Sequence, residues 1–202
     1  MSLQLIGLAL GASFAAGLNL YATVATLGLL ERFGVVSLPP PLAPLAHPVV
    51  IGVALFLYAI EFFADKVPYV DTAWDTLHTF IRPPAAAILA YAAVAGVPEP
   101  WRIVAALVAG GVALTSHGTK TTARAAVNTS PEPISNWILS VLEDGVAIGV
   151  AWLAAAHPIV ALGIVAALLA FSIWLLTKLA RYFRNLFRST AARKRQTVPK
   201  PS

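Results

Sequence analysis

Cysteine is absent from the 202-residue chain, so no disulfide framework, thiolate metal site or cysteine nucleophile can be built from it, and the redox compartment leaves no trace. Charge is nearly as scarce. Only 11% of the residues are charged, against roughly 25% in an ordinary soluble domain, while 58% are hydrophobic and the mean hydropathy is +0.78. No charge precedes Glu31, so the basic start of a secretory signal is missing. The small residues of "GASFAAG" at 11–17 resemble a cleavage site, yet the segment is expected to stay with the protein. The net charge of +5 needs no nucleic acid to explain it, because it gathers at one end.

Long apolar runs fill the space that charge leaves. Residues 1–30, 47–60, 83–98 and 145–177 carry no charge, and two further stretches carry isolated polar groups. An all-α polytopic membrane protein follows, with about six crossing segments near 3–30, 47–64, 84–98, 102–119, 135–155 and 157–180, each of roughly the 20 residues a bilayer requires. Polar connections are expected at 31–46, 65–83 and 120–134. Residues 1–180 read as one transmembrane domain and 181–202 as a basic tail, amphipathic at first and then disordered, lying on anionic lipid. Placing the tail in the cytoplasm puts twelve basic residues inside and only Arg32 and Arg102 outside, so both termini are expected in the cytoplasm.

The first segment is too long for a single span. Gly17 and Asn19 in "GLNLYATVATLGLL" predict an interruption, either a break within the membrane or a re-entrant hairpin, with Asn19 a packing or lining residue. His47-Pro48 and His157-Pro158 read as two helix starts, and the matching runs behind them suggest an inverted repeat.

Chemistry concentrates where ionisable groups meet lipid depth. A carboxylate at the bilayer centre costs about 2.5–3.5 kcal/mol on insertion scales, so Glu61, Glu143 and Asp144 need a partner, a proton or a hydrated cavity. His117 approaches the same depth. Glu61 and Asp65 are four apart, as are Asp71 and Asp75, and His78 follows Asp75 by three, so each pair shares a helical face and the five could hold a metal cation. Lys66, Arg82, Lys120 and Arg124 crowd the same level, as neutralising partners or as a cradle for an anion. Asn128, Ser130 and Asn136 belong to a turn and helix start beside them, and with the loop charges they form a candidate cytoplasmic gate.

The segments "EFFADKVPYVDTAWDTLHTFIRP" and "HGTKTTARAAVNTSPEPISNWILSVLED", with "GLNLYATVATLGLL", resemble a family of small bacterial integral-membrane proteins known only as domain of unknown function four-one-two-six. The resemblance covers nearly everything but the basic tail. It implies a compact helical protein of the bacterial inner membrane, with Trp74 and Pro131 joining the charged residues above as signature positions. After Arg82 this chain has "PPAAA", where the family pattern leads one to expect a glycine soon after the proline. A looser similarity to six-span cation/proton exchangers falters because the acid of "EFFADK" stands one residue too far from Asp-Lys.

Three functions remain in play. The first is a small transporter or channel-like carrier for a cation or other small molecule, proton-coupled through Glu61, Glu143 and Asp144, with a bound cation as its only expected cofactor. The second is an enzyme or flippase acting on a lipid phosphate, which lacks any phosphotransferase signature. The third is a noncatalytic scaffold. No catalytic residue is assigned, and a homo-oligomer is left open.

Overall fold

The computed structural model describes residues 2–127 and 133–196. Among the described residues there are no strands. The first apolar stretch forms α1 (Leu3–Leu18) and α2 (Leu20–Arg32), a 3-10 turn follows at Pro40–Ala46, and then come α3 (Pro48–Ala64), α4 (Pro68–Ala93), α5 (Glu99–Val127), α6 (Pro133–Ala156) and α7 (Pro158–Gln196).

The expected interruption is a single residue. Asn19 adopts an extended backbone (φ −149°, ψ 103°), and its side-chain oxygen accepts from the Ala22 amide at 2.9 Å to cap α2. Helix α1 is buried from Gly7 to Leu18 except at half-buried Leu10, as a helix apolar all round must be, and packs against α4, α5, α6 and α7. Gly17 is required by that packing: a Cβ there would strike the Ser116 hydroxyl and the Ala113 carbonyl of α5. Both histidine starts hold. His47 caps α3, its Nδ1 accepting from the Val49 amide at 3.2 Å with Pro48 at the first helical position, and His157 directly precedes Pro158 of α7.

Helices α4, α5 and α6 each bury one narrow stripe. On α5 it runs Ala109, Val112, Ala113, Ser116, His117, Lys120, Arg124; on α4, Asp71, Asp75, His78, Arg82, Ala86, Leu89, Ala90, Ala93. Helix α6 buries Asn136, Ser140, Glu143, Asp144, Ala147, Val150, Ala151 and Ala154. Each follows steps of three and four. One half of every stripe is small and apolar, which lets backbones approach closely without a hydrophobic drive between helices. The other half is polar, and the polar halves meet.

The connections are shorter than expected. Only the turn Asp65–Val67 separates α3 from α4, and the rest of the supposed loop at 65–83 is helix, with Pro83 and Pro84 inside it. Its charges recur at helical spacing, and Pro68 at the first position suits a helix start. Likewise α5 continues past the expected end at 119 to Val127, and α7 runs on to Gln196, beyond where the sequence suggested disorder.

Ile134–Ala156 and Pro158–Arg181 are long and apolar enough to cross a membrane, and the 3-10 turn with α3, bent by 66°, makes a third if counted as one span. This test does not recover the six expected spans. The break at Asn19 leaves α1 at 16 residues, and α4 and α5 mix polar residues into their apolar runs. Val49, Val53, Phe56, Ile60 and Phe63 nonetheless form a continuous exposed face on α3, as expected of a helix facing lipid.

Candidate functional site

Eleven ionisable side chains are buried where the polar half-stripes converge: Glu61, Asp65, Asp71, Asp75, Glu143 and Asp144, the cations Arg82, Lys120 and Arg124, and His78 and His117. Arg124 is the hub. Its Nη1 donates to Asp71 Oδ1 at 2.8 Å and to the Asp65 carbonyl at 2.9 Å, its Nη2 to Asp65 Oδ2 at 2.8 Å and Glu143 Oε2 at 2.6 Å, and its Nε to the same Glu143 oxygen at 2.9 Å. Three helices and the turn after α3 are thereby tied to one planar group, a role that suits guanidinium.

Lys120 sits deeper. Its Nζ donates to Glu61 Oε1 at 3.2 Å, Asp65 Oδ2 at 3.0 Å and the Leu18 carbonyl at 3.3 Å. Arg82 donates to Glu61 Oε1 at 2.6 Å, the Gly17 carbonyl at 3.0 Å and His117 Nδ1 at 2.7 Å. The Gly17 and Leu18 carbonyls face these cations because α1 ends there, so the break presents the negative end of a helix to them. A guanidinium only donates, so His117 Nδ1 accepts and the proton belongs on Nε2, within reach of the Asp75 carbonyl at 3.1 Å and Thr79 Oγ1 at 2.9 Å.

Nine of the expected residues thus belong to one network: Glu61, Asp65, Asp71, Asp75, Arg82, His117, Lys120, Arg124 and Glu143. Asn136 joins them by donating to the Asp65 carbonyl at 3.3 Å. The adjacent acids of α6 do not form a pair. Consecutive helical residues point about 100° apart; Glu143 meets Arg124, whereas Asp144 accepts from Asn19 Nδ2 at 2.9 Å and the Tyr58 hydroxyl at 3.3 Å. Asn19 is therefore both cap and partner.

Two expected members turn away. His78 stacks on Trp74 with ring centroids 4.7 Å apart, donates from Nδ1 to the Trp74 carbonyl at 2.8 Å and accepts at Nε2 from the Tyr21 hydroxyl at 3.0 Å. Glu61, Asp65, Asp71, Asp75 and His78 therefore do not form the five-ligand set expected from spacing; only Asp65, Asp71 and Asp75 bring one oxygen each within 4.8 Å of one another. Lys66 donates to the Phe62 carbonyl at 2.8 Å with its ammonium over the Phe62 ring, and burial pushes it below the usual lysine range while Asp144 and Asp65 oppose the shift. Asn128 and Ser130 lie outside the described residues.

The sequence reading missed Tyr58 and Tyr21, the two carbonyls of the break, and the threonines beside Asp71 and Asp75. Tyr58 stands three residues before Glu61, a spacing that could have revealed it. Thr72, Thr76, Thr79 and Thr121 line a cavity of ≈ 260 Å³ that reaches Asp71, Asp75 and Arg124. Its mouth is open at Thr72 and Thr76, which are exposed.

Residues 6–178 match the family model described as Domain of unknown function (DUF4126). The chain belongs to that family. The DUF4126 match spans every residue of the ionic network, so the cluster is part of the family domain and not of the basic tail. No curated protein and no solved structure matches the chain.

Proposed function

We propose that this DUF4126 protein is a proton-coupled carrier for a cation in the bacterial inner membrane. Its chain would cross six times, through α1 with α2, α3, α4, α5, α6 and α7, with both termini in the cytoplasm. One observation carries the reading: six carboxylates are buried against three cations, a formal surplus of three negative charges. A purely structural ion-pair network has no need of that excess, because each unmatched charge in a low-dielectric interior is costly. Protons or a transported cation would balance it.

Arg82, Lys120 and Arg124 all donate to carboxylates, which weighs against a cradle for lipid phosphate. The scaffold reading draws on the same dense pairing, and flux separates the two. In proteoliposomes carrying an internal pH dye, an imposed cation gradient should move protons. Asp144→Asn, which keeps a polar partner for Asn19 and Tyr58, should abolish that movement while the purified variant elutes and melts like the parent. Glu143→Gln should abolish it too, with a lower melting temperature, because Arg124 loses a charged partner at 2.6 Å. Unchanged flux in both variants removes these acids from the mechanism, and no flux from the parent for any cation favours the scaffold.

A further inference from the structure

We propose that Asp65, Asp71 and Asp75 form a binding site for a hard divalent cation, entered through the threonine-lined cavity between α4 and α5. What the ion does there rests on the carrier reading above; whether it binds does not.

Three buried carboxylates alone would not make such a site. The second observation is that Asp65 Oδ1 and Asp75 Oδ1 are buried and accept no hydrogen bond among the described residues. Asp75 Oδ1 lies 3.8 Å from Arg82 Nη2 and 4.0 Å from Lys120 Nζ, within their field but beyond hydrogen-bond reach. A buried carboxylate oxygen in that state calls for a ligand. The cavity supplies the approach, since Asp71 and Asp75 are themselves part of its wall.

The donors decide the class of ion. All are oxygens: three carboxylates, and beside them threonine hydroxyls whose protons are already engaged. Thr76 Oγ1 donates to the Thr72 carbonyl at 2.7 Å and Thr121 Oγ1 to the Gly118 carbonyl at 3.1 Å, so these two hydroxyls of the cavity wall keep lone pairs with which to accept or ligate. Thiolate is excluded by the composition. Nitrogen is excluded by geometry, because His78 and His117 each have both ring nitrogens engaged. Such a set favours Mg²⁺, Mn²⁺ or Ca²⁺ over zinc or copper.

The protein's own cations compete for the same oxygens. Arg124 holds Asp71 Oδ1 and Asp65 Oδ2, and Lys120 shares the latter. Binding is therefore weak and exchangeable, and removing Lys120 strengthens it, the reverse of what a residue that only stabilises the site would do.

Mn²⁺ titrated into the detergent-solubilised full chain, with free Mn²⁺ followed by electron paramagnetic resonance, tests the site. The parent should bind saturably and release Mn²⁺ to Mg²⁺ or Ca²⁺. Asp75→Asn should weaken binding by at least about tenfold, the lower end for losing even an outer partner of a metal, and Lys120→Gln should tighten it. Absence of saturable binding by the parent, or equal binding by a folded Asp75→Asn, overturns the proposal. Where a variant fails to fold, the parent decides alone: Mn²⁺ should raise its melting temperature saturably, while Na⁺ at matched ionic strength leaves it unmoved, and equal effects of the two overturn the site. Saturable binding without flux keeps the site and removes the carrier; flux with no binding does the opposite.

Discussion

Arg124 shows what a single side chain can do when every alternative partner is buried. It pairs with Asp65, Asp71 and Glu143 together, and each of these loses a cation if the guanidinium is removed, although Asp65 keeps Lys120. Arg124→Gln should therefore destabilise the protein by about 3–5 kcal/mol, the usual penalty for breaking a buried ion pair, seen as a lower melting temperature in detergent. Arg124→Lys should recover only part of the loss, since the three donors on one ammonium nitrogen cannot replace the five hydrogen bonds that the guanidinium makes. Full recovery would mean that charge alone, and not planar geometry, holds the hub. At this scale the sequence was informative about membership and silent about pairing. The expense of an acid at lipid depth singled out Glu61, Glu143 and Asp144, but only coordinates reveal that Glu143 and Asp144 look in different directions.

The elements owe their arrangement to two local devices. Asn19 interrupts the first apolar stretch, and Gly17 lets α1 press against α5 at the same level. Gly17→Ala should force α1 and α5 apart and cost about 1–3 kcal/mol through overpacking, whereas Gly52→Ala, in open space on α3, should be neutral or better. Thermal melts of the two variants side by side check the contrast. The interruption was legible because an amide in mid-membrane has to be satisfied, and the histidine starts were legible from the prolines behind them. The helix at 68–82 was not. Its charges and flanking prolines looked like a loop, and only their steps of three and four betray a buried stripe made of polar residues instead of apolar ones.

For the whole molecule, burial changes how charge reports orientation. Arg82, Lys120 and Arg124 belong to the interior, so the asymmetry now rests on Lys66 and the eight basic residues from Lys178 onward, against Arg32 and Arg102. The direction survives the smaller count. A chain without cysteine allows a clean check: in intact cells, single cysteines at Tyr69 and Arg181 should resist a membrane-impermeant maleimide, and one at Gly34 or Pro98 should react. Labelling of all four, or the reverse pattern, would dismantle the six-crossing topology.

The shared acid cluster also bears on how the chain is made. Neither α4, where Arg82 lies 3.8 Å from Asp75 but two acids face one cation, nor α5, where Lys120 and Arg124 have no buried acid on their own helix, balances its buried charge from within. Each would enter lipid carrying unmatched charge if released from the translocon alone. On the six-crossing reading, α3 and α4 would then wait beside the insertion machinery until α5 emerges with Lys120 and Arg124, which leaves four buried acids facing three cations as they partition together. Biogenesis, on this view, runs by collective entry, with the cations of the later helix completing the passage of the acids made before them.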